Sequence, residues 1–88
     1  MFYYVYILQS EKDNRLYIGF TPDLRARFKK HQDGKVISTK YRRPLKLIYY
    51  EAYKDRSVAQ KREQQLKTGK AHTALRKRLL EKKRKVQG

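Results

Sequence analysis

The sequence predicts a small α/β domain of the α+β type, in which a three-stranded antiparallel sheet is flanked by three helices in the order ββαβαα. Three runs rich in aromatic and β-branched residues predict the strands, and amphipathic stretches after the second and third runs predict the helices. The chain has 88 residues, and a chain this short buries only about 60% of its unfolded surface, too little for two cores. We therefore expect one domain over residues 1–80 and a basic tail, residues 81–88, that is frayed or disordered.

The first two runs predict a β-hairpin. Residues 3–8 and 16–20 have the composition of strands, and the segment 11–15 between them carries the Asp and Asn side chains that favour a chain reversal. Gly19 lies inside the second run, where the missing side chain lets another group come close to the backbone. The other candidate residues are placed relative to this hairpin.

A helix is predicted directly after the hairpin. Thr21 is expected to be its N-cap, Pro22 its first residue and Asp23 part of its first turn. Gly34 is expected to end it, because glycine is common just past a helix C-terminus.

One face of this helix is predicted to pack on the sheet. Leu24, Phe28 and His31 follow the spacing i, i+4 and i+7, so they share one stripe. Arg27 borders this stripe, four residues before His31. The helix is therefore expected to bring a permanent cation and an imidazole close to the first strand.

A basic loop and a third strand are predicted in the middle of the chain. Residues 35–43 show no clear period and place Tyr41 among basic residues, which suits contacts to phosphates and bases; a solvated loop without such a role is the alternative. Residues 45–53 alternate and are apolar on both faces, which predicts a strand covered on both sides. One face is expected to hold Leu45, Leu47 and Tyr49, and the other Ile48, Tyr50 and Ala52.

Two more helices are predicted in the last third of the chain. Ser57 and Gln60 form a capping-box pattern that opens a helix through Leu66, with Gly69 as its expected stop. A third helix is expected from about Thr73. The inward stripes are predicted at Ala59, Glu63 and Leu66 in the first of these helices and at Leu75, Leu79 and Leu80 in the second.

The formal net charge of +16 is the strongest feature of the composition. A potential of this size attracts polyanions over many ångströms, so nucleic acid is the expected partner. An anionic membrane surface is the competing polyanion, but it favours an amphipathic helix with a bulky apolar face, which the basic tail lacks. The residues expected to contact nucleic acid are Lys40, Arg42, Arg43, Lys82, Lys83, Arg84 and Lys85.

Several classes of protein are disfavoured by composition. The chain has no cysteine, which excludes disulfides and thiolate metal sites and fits a reducing compartment. No apolar run approaches the roughly 20 residues that span a bilayer, and the start lacks the features of a signal peptide. We therefore expect a cytoplasmic protein without a membrane segment and without an obligate protein partner.

Two charged residues on the predicted helices are candidates for contact with a phosphate or a metal ion. Arg27 offers a planar fork of donors to a phosphoryl oxygen at any working pH, although an ordinary surface arginine is the alternative. Glu63 lies on an inward face, where a carboxylate needs a compensating cation. Either a divalent metal ion or a salt bridge to an arginine would supply it.

The order of these residues resembles that of the GIY-YIG nuclease superfamily, in particular its small stand-alone members. The stretch 17–19 (YIG) matches the second half of the name motif, and the stretch 4–6 (YVY) is a relaxed first half that keeps its tyrosine. The resemblance covers roughly residues 2–80. Further matching positions follow in order at Asp23, Leu24, Arg27, His31 and Glu63.

The resemblance implies an endonuclease that hydrolyses DNA with Mg²⁺ or Mn²⁺ and recognises structure more than sequence. It implies that Glu63 binds the metal and that Tyr17, Arg27 and His31 complete a catalytic set with Tyr6. Tyr6 is either a base with a lowered pKa or a relay for a proton, because a phenol with pKa near 10 is a poor base at neutral pH. A polar residue that several relatives carry in the last helical segment is missing here.

Two other functions are compatible with the same residues. A non-catalytic module that retains the nuclease fold and binds DNA or structured RNA would explain the charge equally well. An RNA-cleaving enzyme with the same residues would require a 2′-hydroxyl in its substrate.

Overall fold

A computed structural model describes residues 1–68, 70 and 72–79. The elements are β1 (Tyr3–Ser10), β2 (Leu16–Thr21), α1 (Leu24–Gln32), a short 3₁₀ helix (Lys40–Arg42), β3 (Leu45–Tyr53), α2 (Arg56–Lys67) and a third helix, α3, over residues 72–79. The strands form one sheet in the order β2-β1-β3, and both pairs are antiparallel. The predicted α+β fold with the order ββαβαα is confirmed. Within the described residues, no helix has the length and apolar character needed to cross a membrane.

Some predictions fall on residues outside the described part of the chain. These are the helix stop at Gly69, the inward position of Leu80 and the basic tail with Lys82, Lys83, Arg84 and Lys85.

The β1–β2 turn is held by the side chain of Ser10. Its hydroxyl oxygen accepts hydrogen bonds from the backbone N–H groups of Lys12 and Asp13, at 3.1 and 3.3 Å. Asn14 adopts a positive φ of 62°, a conformation that asparagine tolerates better than most residues. Oδ1 of Asp13 accepts a hydrogen bond from the N–H of Arg15 at 2.9 Å, so the Asp and Asn residues that predicted the reversal lie in the turn itself.

The central strand β1 separates two small hydrophobic cores. Val5 and Ile7 face α2 and α3, and Tyr6 and Leu8 face α1. All four side chains are at most 1% exposed, because β1 has a strand on each edge and helices on each face. The core on the α2 side contains Val5, Ile7, Ile18, Ala59, Leu66 and Leu75. The core on the α1 side contains Tyr6, Leu8 and Leu45, with Tyr17, Leu24, Phe28 and Leu47 packed against it.

The predicted faces of β3 are correct at one end of the strand and wrong at the other. Leu45 and Leu47 share one face, as expected, and that face packs against α1. The register between β1 and β3 then shifts at Ile7/Leu8, and Tyr49 packs with Ile48 on the α2 side, while Tyr50 lies beside Tyr4 on the α1 side. Because an extra residue in one strand reverses the alternation after it, a strict period of two could not reveal this.

Both predicted helix N-caps are displaced by an aspartate. Thr21 ends β2, and Asp23 caps α1 by accepting a hydrogen bond from the N–H of Ala26. Asp55 caps α2 with bonds from the backbone N–H groups of Ser57 and Val58, so the hydroxyl of Ser57 only donates to Asp55. The carboxylate wins in each case because it is a stronger acceptor than a hydroxyl and favours the positive end of the helix dipole.

Hydrogen bonds to one carboxylate, that of Glu51, connect α2 to β3. Glu51 and its donors Arg62, Tyr49 and Tyr53 form the Glu51 cluster. Glu51 is 17% exposed and accepts two hydrogen bonds from the guanidinium of Arg62, at 2.9 and 3.1 Å. It also accepts hydrogen bonds from the hydroxyls of Tyr49 and Tyr53. Burial alone would raise the pKa of Glu51, but the donors of Arg62, Tyr49 and Tyr53 outweigh it and hold the pKa at about 2.

This cluster predicts a loss of stability in acid. Glu51 is expected to titrate near the ordinary glutamate pKa of 4.5 in the unfolded chain and at about 2 in the folded one. Its contribution is therefore fully present above about pH 4.5 and is lost as the pH falls through about 2. Denaturant unfolding measured between pH 6 and 2 should show this decline, and Glu51→Gln, which cannot ionise, should flatten it. An equal decline in both proteins would contradict the assignment.

Candidate active site

The ring of Tyr6 lies directly across the backbone of Gly19. The two residues are partners in the β1–β2 register, and both lie on the face of the sheet that α1 covers. A Cβ atom at Gly19 would come within 2.3 Å of the Tyr6 ring carbon Cζ and of its hydroxyl oxygen. The close backbone approach predicted for this glycine is therefore confirmed, and Tyr6 is the group that approaches.

The hydroxyl of Tyr6 connects α1 to the sheet through two hydrogen bonds. It lies 2.9 Å from Nε2 of His31 and 3.4 Å from Nε of Arg27. Because the guanidinium only donates, the Tyr6 oxygen accepts from Arg27 and its own proton is free to donate to His31. This requires the tautomer of His31 that carries its proton on Nδ1.

Thr39 holds the other side of the imidazole. Its Oγ1 lies 2.7 Å from Nδ1 of His31, and both side chains are fully buried. When Nδ1 carries the proton, the hydroxyl oxygen of Thr39 accepts it, and this is the same tautomer that the bond from Tyr6 requires. A continuous chain of hydrogen bonds thus runs from Arg27 through Tyr6 and His31 to Thr39.

Burial determines the protonation states of His31 and Tyr6 in this hydrogen-bond chain. It lowers the pKa of His31 to about 4, with the positive charge of Arg27 acting in the same direction, so the imidazole is neutral at pH 7. Burial also raises the pKa of Tyr6; the hydrogen bond from Arg27 opposes this shift, and the neighbouring phenol of Tyr17 and the carboxylate of Glu63 reinforce it. Tyr6 is therefore protonated at neutral pH, with a neutral acceptor already in contact.

Tyr17 and Arg27 complete the wall of the site. The Tyr17 ring packs edge-on against His31, with 5.1 Å between ring centroids, and lies 6.3 Å from the ring of Tyr6. The hydrogen bond to Tyr6 raises the pKa of Arg27, so its guanidinium stays charged. Both side chains are half-buried, which leaves part of each accessible.

Glu63 projects from α2, which packs against β1 and β2. Its side chain is 15% exposed and lies on the same helix face as the buried Ala59 and Leu66, as predicted. One carboxylate oxygen lies 3.2 Å from the ammonium of Lys67, so a lysine one turn later supplies a compensating charge. The face of α2 that carries Glu63 packs on the α2 side of the sheet, whereas Tyr6 lies on the α1 side, and the charge of Glu63 is the weakest of the influences that raise the pKa of Tyr6.

The donor set fits a divalent ion that keeps most of its own oxygen ligands. Within residues 1–68, 70 and 72–79, no group of three or more His, Cys, Asp or Glu side chains could hold a metal. A single carboxylate such as Glu63 is compatible with Mg²⁺, which is commonly held by one or two carboxylates together with water and substrate phosphate. It does not fit a metal that needs a full cage of protein ligands.

The predicted nucleic-acid contacts of the loop 35–43 differ in their availability. Lys40 is exposed, with its ammonium 5.4 Å from the ring centroid of the exposed Tyr41. Arg43 instead folds back and donates to the backbone carbonyls of Lys40 and Gln32, at 3.0 and 3.2 Å. Arg42 is half-buried with Asp13 at 4.0 Å. Among the three, Lys40 is best placed for a phosphate.

Thr39 is the site residue that was not predicted from the sequence. It lies eight residues after His31 in a stretch without a period, next to basic residues that suggested a surface loop. No spacing rule connects a loop threonine to a helix histidine. The available signal was chemical, because a histidine on an inward stripe needs a partner for each ring nitrogen.

The contact between Tyr6 and Gly19 predicts a strong coupling between two substitutions. Gly19→Ala forces the Tyr6 ring to move and should lower the free energy of unfolding by about 1–3 kcal/mol, as overpacking usually does. In a Tyr6→Ala background the space is free, so the same change should have almost no further effect. Chemical denaturation of the four proteins measures this. Additive effects would show that the ring does not occupy the space above Gly19.

Comparison with known proteins identifies the family of this chain. A family model described as the GIY-YIG catalytic domain matches residues 2–77. A UPF0213 protein of Staphylococcus haemolyticus is 45% identical over 67 residues, which cover 75% of this chain and 80% of that protein. A UPF0213 protein of Staphylococcus aureus strain USA300 is 43% identical over the same shares.

A solved structure shows the same fold. The solution NMR structure of a UPF0213 protein from Bacillus halodurans superposes with a TM-score of 0.54 at 32% sequence identity, covering 85% of this chain and 81% of that one. The resemblance on which the site was predicted is therefore confirmed across nearly the whole fold. The chain belongs to the GIY-YIG catalytic domain family.

Proposed function

We propose that this protein is a divalent-metal-dependent endonuclease that hydrolyses phosphodiester bonds in DNA and is directed by structure more than by sequence. The observation that carries the proposal is the hydroxyl of Tyr6, buried between the charged guanidinium of Arg27 and the neutral imidazole of His31. A purely structural tyrosine has no need of two titratable partners on an inward-facing hydroxyl. The net charge of +16 suits a polyanionic substrate.

In this proposal Tyr6 relays a proton and does not act as a free phenolate. Burial raises its pKa, so forming the phenolate at pH 7 would cost more than about 4 kcal/mol. A relay avoids that intermediate: Tyr6 passes its proton to Nε2 of His31 as it takes one from the attacking water. The negative charge of a bound phosphate favours the resulting imidazolium, because it counteracts the effect of Arg27 on the pKa of His31.

Arg27 and Tyr17 are proposed to hold the phosphate. The guanidinium has donors beyond the Nε that contacts Tyr6, and these can bind non-bridging oxygens as negative charge develops on them. Tyr17 can donate its hydroxyl proton to the same group. When bound at Glu63, a divalent ion would supply further positive charge for the phosphoryl and leaving oxygens.

Structure-directed recognition follows from the distribution of cations. Contacts from Lys and Arg to phosphates fix position and orientation but carry no sequence information. The exposed Lys40 and the ring of Tyr41 beside it suit a phosphate and a neighbouring unpaired base. We therefore infer a preference for branched, flapped or single-stranded regions over a particular base sequence.

The direct test is cleavage of supercoiled, branched and single-stranded DNA in the presence of Mg²⁺ or Mn²⁺. Wild-type protein should nick the DNA. Glu63→Ala should reduce the rate of cleavage at least about 100-fold, because the positive charge that stabilises the developing negative charge on the phosphate oxygens would no longer be held in place. Gln64→Ala, an exposed neighbour on the same helix, is the matched control and should cleave normally. EDTA should abolish cleavage by the wild-type protein and by Gln64→Ala.

Three outcomes would contradict parts of this proposal. Cleavage undiminished in Glu63→Ala would remove the metal assignment. Tight binding with no cleavage of any substrate would favour a non-catalytic module that keeps the fold. Cleavage that requires a 2′-hydroxyl would make RNA the substrate.

A further inference from the structure

We propose that a groove on the side of α1 opposite Arg27 is a base-binding site, which takes up an unpaired nucleobase of a nucleic-acid strand whose backbone crosses α1. This proposal rests on the proposed function, since the strand belongs to the same substrate. It adds a second point of contact outside the catalytic set.

The groove lies between α1 and the β3 edge of the sheet. Its volume is about 510 Å³, within the ~300–1,000 Å³ range that small-molecule sites occupy. Leu24 and Phe28 of α1 and Leu47 of β3 line it with apolar surface, and Tyr4 and Tyr50 add two aromatic rings. A cavity of this size with these walls suits a flat aromatic ring system.

Its position follows from the periodicity of α1. Successive residues of a helix are rotated by about 100°, so Arg25 and Arg27 lie on opposite sides of the stripe formed by Leu24 and Phe28. Arg27 points to Tyr6, and Arg25 lines the groove. The helix is about 10–12 Å wide with its side chains, so a nucleic-acid strand must cross about this distance between the catalytic set and the groove.

The aromatic rings of the groove are presented for stacking. Tyr4 and Tyr50 lie edge to face, with centroids 6.1 Å apart and an angle of 62° between the ring planes. Tyr50 is 54% exposed although it is a large aromatic residue in the middle of β3. Every nucleobase has a π-face, so an exposed ring of this kind stacks on bases with little regard to sequence.

Charge identifies the occupant as part of a nucleic acid. The solvent side of α1 between the groove and the catalytic set carries Lys29 and Lys30, both exposed, and Arg25 stands at the groove itself. Lys29 is partly neutralised by Asp33 at 2.9 Å, which leaves Lys30 and Arg25 for phosphates. The net charge of +16 opposes docking of a second copy of this chain.

Asp23, the acidic side chain at the rim among the described residues, does not oppose this assignment. Asp23 lines the groove, but its carboxylate oxygen accepts the N–H of Ala26 at 3.1 Å as the N-cap of α1. The carboxylate of Asp23 therefore interacts with the positive end of α1, which offsets its negative charge. A carboxylate in this place also offers an acceptor to the exocyclic amine of a base.

The experiment compares two nucleic acids that have the same charge. A labelled DNA hairpin carries an overhang of about six unpaired nucleotides, within the ~4–16 that single-stranded binding folds cover, and a second hairpin carries the same overhang without bases. Binding is followed by fluorescence anisotropy in EDTA, so that no cleavage occurs. The wild-type protein should bind the abasic overhang about 5- to 100-fold more weakly, since stacking contributes that much per base.

Variants of Tyr50 assign this difference to the groove. Tyr50→Ala should reduce the ratio of the two affinities by at least about 5-fold, and Tyr50→Phe, which keeps the ring, should leave it unchanged. Val58→Ala removes another exposed apolar side chain, from α2, and is the matched control. It should behave as the wild type does.

A second measurement reports on the stacking of individual bases. The fluorescent base 2-aminopurine, placed at each overhang position in turn, should be quenched on binding of the wild-type protein at one or more positions, and Tyr50→Phe should preserve this quenching. Equal affinity for intact and abasic overhangs, or quenching at no position, would overturn the proposal. Neither measurement depends on cleavage, so a protein that lacks nuclease activity but distinguishes the two overhangs would retain the groove and lose only the proposed function.

Discussion

The site depends on the hydrogen bonds that the buried hydroxyl of Tyr6 makes. The ring can reach its position only because Gly19 has no side chain, and the hydroxyl then connects the central strand to α1 through Arg27 and His31. His31 can serve as a neutral acceptor because burial keeps its pKa at about 4 and because Thr39 holds its other nitrogen. Each of these conditions comes from a different element, so the site exists only in the folded domain.

The central strand explains how so small a domain holds both a core and a site. Val5 and Ile7 of β1 face α2, and Tyr6 and Leu8 face α1, so one strand supports a hydrophobic core on each face and, through the Tyr6 hydroxyl, a polar network on the α1 side. The cluster of Glu51 and Arg62 fastens α2 to β3 beside the first core. It thereby fixes the helix that carries Glu63, without itself facing the Tyr6 network.

The sequence predicted the elements well because their signals are local. The hairpin, β3 over residues 45–53 and the inward stripe of α1 followed from composition and spacing, and all are confirmed. The misplaced helix caps and the reversed faces after Ile48 depend on a competition between two acceptors and on a register shift, which periodicity does not contain. The roles of Arg27, His31 and Glu63 were suggested by family resemblance, and Thr39 required the tertiary structure because only folding brings it to His31.

The protonation state of His31 is the sharpest test of the proton path through Tyr6. In ¹⁵N NMR of histidine-labelled protein, we predict that His31 carries its proton on Nδ1 at pH 7 and titrates with a pKa of about 4, well below the ordinary histidine pKa of 6.5. Removing the partner in Thr39→Val should disturb this tautomer. A proton on Nε2 at pH 7 would contradict this path, because Tyr6 would then have no acceptor for its proton. Titration near 6.5 would contradict the burial that holds the pKa of His31 down.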